Sequence, residues 1–134
     1  MPALEPVLAW RVVARPAALD GAGWRGDAVE VLRVAPDEAL GIGATGVDVD
    51  DPDAIVEPDA GFSVALVDAA AWPGLVDHVE WPVPDDPGVL AQGKVAGVPV
   101  KLRTGDPAVR PTDAPALLVV QTAHADELRR RLGW

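Results

Sequence analysis

The chain has 134 residues, 49% of them hydrophobic, no Cys and a formal net charge of −10. That length suits one domain with one core, and the composition excludes wholesale disorder, disulfides, thiolate metal sites and a Cys nucleophile. No apolar run approaches the ~18–20 residues of a membrane span. The N-terminus carries no basic region followed by an apolar core, so no signal peptide is expected and the expected location is cytoplasmic.

The placement of charge says more than its sum. Between residues 34 and 93 there is no Lys or Arg but thirteen Asp or Glu, and all eleven basic residues fall before or after that stretch. Such a middle repels nucleic acid and anionic membranes, which are disfavoured as partners. It keeps a chain soluble, and it suits a basic partner.

In chain order, residues 7–14 form a β-rich run without clean alternation, expected as a strand covered on both faces and ended by Pro16. Residues 17–27, with three glycines, are expected as a loop in which Trp24 lies as a lid on the core. Residues 28–34 are a second strand. The spacing of its polar positions, Glu30 and Arg33, breaks alternation and predicts a bulge or burial on both faces. Pro36-Asp37-Glu38 makes a turn into a short strand, Leu40-Gly41-Ile42-Gly43. Residues 47–60 hold Asp48, Asp50, Asp51, Asp53, Glu57 and Asp59 and are expected as a solvated acidic loop. Neither Asp48 nor Asp51 starts a calcium-loop pattern, since Pro52 and Ile55 occupy the positions where oxygen ligands are needed.

Residues 62–67 form a compact apolar strand. Pro73 then opens a helix through residue 79, with Trp72, Leu75, Val76 and Val79 at the spacing of one buried face and His78 off it, exposed. Residues 81–88, rich in Pro, make a stiff extended connection. From 90 to 103 the sequence predicts a β-hairpin. Val98, Val100 and Leu102 alternate with Pro99, Lys101 and Arg103, Ala91, Gly93 and Val95 alternate with Gln92 and Lys94, and Ala96-Gly97 makes the turn. Pro99, without an N–H, places its strand at an edge or its N–H side outward. Residues 104–115 are a loop, 117–120 a central strand buried on both faces, and Thr122 the N-cap of a closing helix. Ala125, Leu128 and Leu132 give that helix its inner stripe, and Asp126–Arg130 and Glu127–Arg131 its ion pairs.

The residues that carry chemistry are few. His78 and His124 stand in no metal-ligating pattern. His124 falls in the first turn of the last helix, as a surface histidine or a neutral polar group in a cleft. Ser63 is the only Ser and lies inside a strand, outside any nucleophile elbow. Gly41-Ile42-Gly43-Ala44-Thr45-Gly46 spells Gly-x-Gly-x-x-Gly, but the acidic, Pro-containing residues after it cannot open a phosphate-binding helix. No catalytic residue, metal ligand or cofactor is assigned. The candidate interaction surface is the polar face of the hairpin, Lys94, Lys101 and Arg103, where the chain's charge turns.

From residue 62 onward the expected order is strand, helix, three strands, helix. Phe-Ser-Val-Ala-Leu-Val (62–67), Ala-Gln-Gly-Lys-Val-Ala-Gly-Val-Pro-Val-Lys-Leu (91–102) and Leu-Leu-Val-Val-Gln-Thr-Ala-His-Ala-Asp-Glu-Leu (117–128) resemble the strand, hairpin and closing strand–helix of the aminomethyltransferase-like superfamily. That superfamily includes glycine-cleavage T-protein, folate-binding iron–sulfur assembly proteins and the gamma subunit of heterotetrameric sarcosine oxidase. Leu-Arg-Val-Ala-Pro-Asp-Glu-Ala-Leu (32–40) is similar to a turn of the gamma-type chains. The chain is short for the family and lacks the Cys signature of the iron–sulfur branch. Asp68-Ala69-Ala70 replaces the usual Ser-Gly-Pro before the short helix. The resemblance implies topology but no folate-binding residue.

The expected fold is α+β, a mainly antiparallel sheet with two helices on one face, a single domain over 1–134 in which 62–134 form the strand–helix–three-strand–helix unit. The expected function is a non-catalytic binding or accessory module that assembles with a protein partner, such as an oxidase or aminomethyltransferase subunit. The alternatives are an acidic inhibitor or immunity-type protein meeting a basic partner, and a small folate-type ligand binder or enzyme.

Overall fold

The computed structural model describes residues 2–83, 86, 88–105 and 116–134. Pro84, Asp85 and Pro87 of the expected connection, and 106–115 of the expected loop, lie outside the described residues. The fold is α+β: antiparallel strands predominate, with three short helices among the described residues. The chain divides into two compact units, Val7–Gly61 on the one hand, Met1–Pro6 with Phe62–Trp134 on the other.

In the Val7–Gly61 unit, β1 (Glu5–Val13), β3 (Glu30–Ala35) and β4 (Glu38–Ile42) lie in the order β3-β4-β1. Ala9 and Val12, of opposite parity on β1, are both fully buried, so this strand is covered on both faces as expected. The β3–β4 register shifts between Arg33 and Ala35, the irregularity that the Glu30/Arg33 spacing predicts. Pro36 and Asp37 make the turn between these strands.

Two expectations fail here. Residues 17–27 are not a plain loop, because Pro16 begins α1 (Pro16–Asp20) and β2 (Gly23–Arg25) pairs with β5 (Gly46–Asp48). Pro suits the first helical turn, where its missing N–H has no partner to lose. A five-residue helix is too short to show a period, yet it buries Ala18 and Leu19 against Val12, Ala39 and Val47. Trp24, on β2, packs on this cluster as a lid, and a Cβ on Gly41 would fall 2.4 Å from its ring.

Nor are residues 47–60 a loop throughout. β6 runs over Ile55–Val67, seven residues longer at its start than the apolar stretch 62–67. Glu57, Pro58 and Asp59 carry no strand signal of their own. Their side chains are exposed or half-buried, and Glu57 bonds to Arg11 on β1, so pairing with neighbours rather than propensity extends the strand. The last Gly of Gly-x-Gly-x-x-Gly, Gly46, opens strand β5, not a helix.

In the other unit, the order from Phe62 onward is the expected one: the second half of β6, α2 (Trp72–Val76), β7 (Leu90–Val95), β8 (Val98–Arg103), β9 (Ala116–Gln121) and α3 (Thr122–Leu132). The strands lie in the order β6-β9-β8-β7, all antiparallel. Residues Ala65, Val67, Val95, Val98, Val100, Leu102, Ala116, Leu118 and Val120 point to one face. There they form a core with Leu75 of α2 and Ala125 and Leu128 of α3, so both expected helices pack on the same face. β9 is central, and Ala116 to Val120 are all buried.

The hairpin has the expected strands and turn. Ala96 and Gly97 both take positive φ, 50° and 79°, as a type I′ turn requires. β8 is not an edge strand; the second reading of Pro99 holds. Pro99 sits opposite Lys94 on β7, while the β8–β9 register begins only at Val100. The missing N–H therefore removes no ladder bond.

Helix details differ from expectation. α2 stops at Val76, leaving Val76 exposed, His78 half-buried rather than exposed, and Val79 in a single bridge to Val95. Pairing with β7 ends this helix early, yet Trp72 and Val79 still pack on the core beside Leu75, so only Val76 departs from the expected buried face. Thr122 is the first helical residue and not the cap; its hydroxyl lies 3.0 Å from that of fully buried Ser63. Asp126 pairs with Arg129 rather than Arg130, which instead reaches Glu127, while Glu127–Arg131 forms as expected. Gly133, in the left-handed region, closes α3. Among the described residues no helix is long and apolar enough to cross a membrane.

Candidate functional site

The hairpin register fixes what its polar face presents. Lys94 stands opposite Pro99, Gln92 opposite Lys101, and Leu90 opposite Arg103, all away from the face that carries α2 and α3. On that same outer face β9 supplies Val119, opposite Lys101, and β6 supplies Phe62, opposite Gln121. The Lys101 ammonium donates to Gln92 Oε1 at 3.1 Å and lies 5.9 Å from the centre of the Phe62 ring, at the outer limit of a cation–π contact.

These residues border an open groove of about 340 Å³. Half-buried Phe62 gives it an apolar wall, with buried Val119 beneath, Lys94 and Lys101 give its charge, and Gln92 and His124 further polar groups. No carboxylate is among its lining residues as described. Of the three residues singled out from sequence, Lys94 and Lys101 meet here. Arg103, two residues further along β8, is not among the lining residues. His124 does sit at a cleft, at the first turn of α3.

Sequence reasoning missed Phe62, Val119 and Gln92. The alternation Phe62-Ser63-Val64 places Phe62 on one side of its strand, but only the β6–β9–β8 register brings it beside Lys101.

Elsewhere seven arginines among the described residues have carboxylate partners. In the Val7–Gly61 unit Arg11 bonds Glu38 and Glu57 at 3.1 and 3.0 Å, and these hydrogen bonds raise its pKa further above the usual guanidinium value. Arg15 faces Asp51 at 3.6 Å, Arg25 faces Asp48 at 2.6 Å, and Arg33 pairs with Asp20. Arg129, Arg130 and Arg131 pair along α3. Lys94 and Lys101 have no carboxylate partner among the described residues. Lys94 and Lys101 therefore give this groove a positively charged lining in an acidic chain. Among the described residues no three His, Cys, Asp or Glu come together as a metal site.

A comparison of the chain with protein-family models finds no match, and neither does one with curated proteins.

Proposed function

We propose that this protein is a non-catalytic binding or accessory module that assembles with a protein partner through the polar face of the β7–β8 hairpin. The supporting observation is the pair Lys94 and Lys101: in a chain of net charge −10, they flank an apolar-walled groove and meet no carboxylate among the described residues. A role of this kind is the one that the resemblance to sarcosine oxidase gamma-type chains implies. The acidic side chains of the middle stretch, by contrast, are in part used internally, on Arg11, Arg15 and Arg25 and on the N–H groups of Asp53 and Gly61. That argues against a role in which they meet a basic partner. A cytoplasmic location belongs to the same reading, and so does a protein rather than a nucleic-acid partner, since two lysines are far fewer cations than a phosphate backbone engages.

The test is affinity purification from the native host with the wild-type chain and the Lys94→Glu/Lys101→Glu variant. A stoichiometric protein that co-purifies with the wild type and is lost with the variant supports the proposal. Recovery of the wild-type chain alone overturns it.

A further inference from the structure

Resting on that reading, we infer that the groove takes an acidic segment of the partner chain, with carboxylates at Lys94 and Lys101 and one apolar side chain seated against half-buried Phe62. Charge complementarity names the occupant. The lining carries two lysines, no carboxylate among the described residues and half-buried Phe62, so a ligand that satisfies it is anionic and makes one apolar contact. At about 340 Å³ the groove is near the lower end of ligand pockets, enough for a side chain or two. Its open form leaves room for a chain to enter and leave. The negative charge of the rest of the protein does not forbid this. Carboxylates further off than a Debye length, about 8 Å at physiological ionic strength, are largely screened, whereas the contact cations are not.

Lys101 is held ready for such a ligand. Its bond to Gln92 and its place over Phe62 fix the long side chain in advance, which reduces the rotamer entropy lost on binding. On the opposite face of β7, Trp81 covers Gly93, and Glu80 ties into the turn through the N–H of Gly97 at 2.6 Å. The hairpin is therefore braced from behind.

The experiment measures fluorescence anisotropy of a terminally blocked, labelled hexapeptide of five Asp or Glu residues around one Leu, at about 150 mM salt, where that screening holds. Comparison peptides replace the Leu by Ala, or every carboxylate by its amide, and free succinate serves as the small-anion competitor. We expect the parent peptide to bind the wild-type protein, the amide peptide at least tenfold more weakly and the Ala peptide several-fold more weakly. Lys94→Glu and Lys101→Glu should each weaken binding about tenfold. Arg130→Glu, the same charge change on an exposed part of α3 away from the groove, should alter it less than twofold. Circular dichroism and thermal unfolding confirm that each variant folds, and Lys94→Gln replaces Lys94→Glu if it does not.

No binding of the parent peptide, equal binding of the amide peptide, or indifference to both lysine variants overturns the inference. Succinate competing as tightly as the peptide would assign the groove to a small free anion instead. A wild-type dimer in sedimentation that Lys94→Glu dissociates would assign it to a second copy of this chain. The two proposals fail separately. A partner that co-purifies through Lys94 and Lys101, with no affinity for acidic peptides, leaves the accessory role standing and removes the acidic-segment occupant. Peptide binding without any co-purifying partner does the reverse.

Discussion

Trp81 closes over Gly93 so tightly that a Cβ at that position would fall 2.6 Å from the indole Cε3. The glycine in the middle of β7 thus lets an aromatic ring approach the backbone on the helix-bearing face, while Gln92 and Lys94 on either side point to the groove. Gly41 and Trp24 repeat the device in the Val7–Gly61 unit, at 2.4 Å.

Gly93→Ala should therefore destabilise the protein by roughly 1–3 kcal/mol, the usual cost of overpacking, because a rigid ring must move. Urea unfolding measures it. An unchanged midpoint would mean that Trp81 does not brace the hairpin.

Ser63 is fully buried and its Oγ lies 3.0 Å from Thr122 Oγ1. Thr122→Val keeps the side-chain shape but removes that partner, and should cost about 1–3 kcal/mol, the penalty of an unsatisfied buried hydroxyl. Adding Ser63→Ala should restore much of the loss, since both partners are then gone. A double-mutant cycle in urea reads the coupling, and strict additivity would refute it.

Ala96 holds φ 50° at the turn, a conformation that costs an L-residue with a Cβ roughly 1 kcal/mol and that Asn tolerates better. Ala96→Asn should raise stability by up to about 1 kcal/mol and leave peptide binding to the groove unchanged. A lowered melting temperature would contradict this.

Asp51 is held below its ordinary value of 3.8, first by the N–H of Arg15, then by the N–H of Asp53 and by the Arg15 charge. Its folded pKa lies below the unfolded one, so its contribution is fully present above pH 3.8 and is lost as pH falls through the folded value. Asp51→Ala should lower the melting temperature at about pH 7, and the gap from the wild type should narrow on acidification below pH 3.8. Parallel curves across that range would exclude the linkage.

Much of the fold was legible because its signals are local. The period-two alternation of 90–103 fixes which side chains share a face whatever the strand pairs with, and Ala96-Gly97 sets the register of the two arms. The apolar run 117–120 announces a strand covered on both sides. Legibility ended where an element depends on its neighbours. The first half of β6 is charged and interrupted by Pro58, so its strand character comes from its place beside β1. α1 is too short for a period, α2 is cut short as Val79 pairs with Val95, and the Thr122 hydroxyl shares a hydrogen bond with that of Ser63 instead of capping.

The same division runs through the site. The sequence by itself determined that Lys94 and Lys101 share the outer face of one hairpin, because side-chain direction along paired strands follows from alternation and turn length. It also determined that these cations follow a long acidic stretch. Only the tertiary structure decided that Phe62, Val119 and His124 join them around one groove, and that Arg103 does not. Those positions depend on how β6, β9 and β8 align across gaps of tens of residues, and that register is set by mutual packing rather than by any single segment.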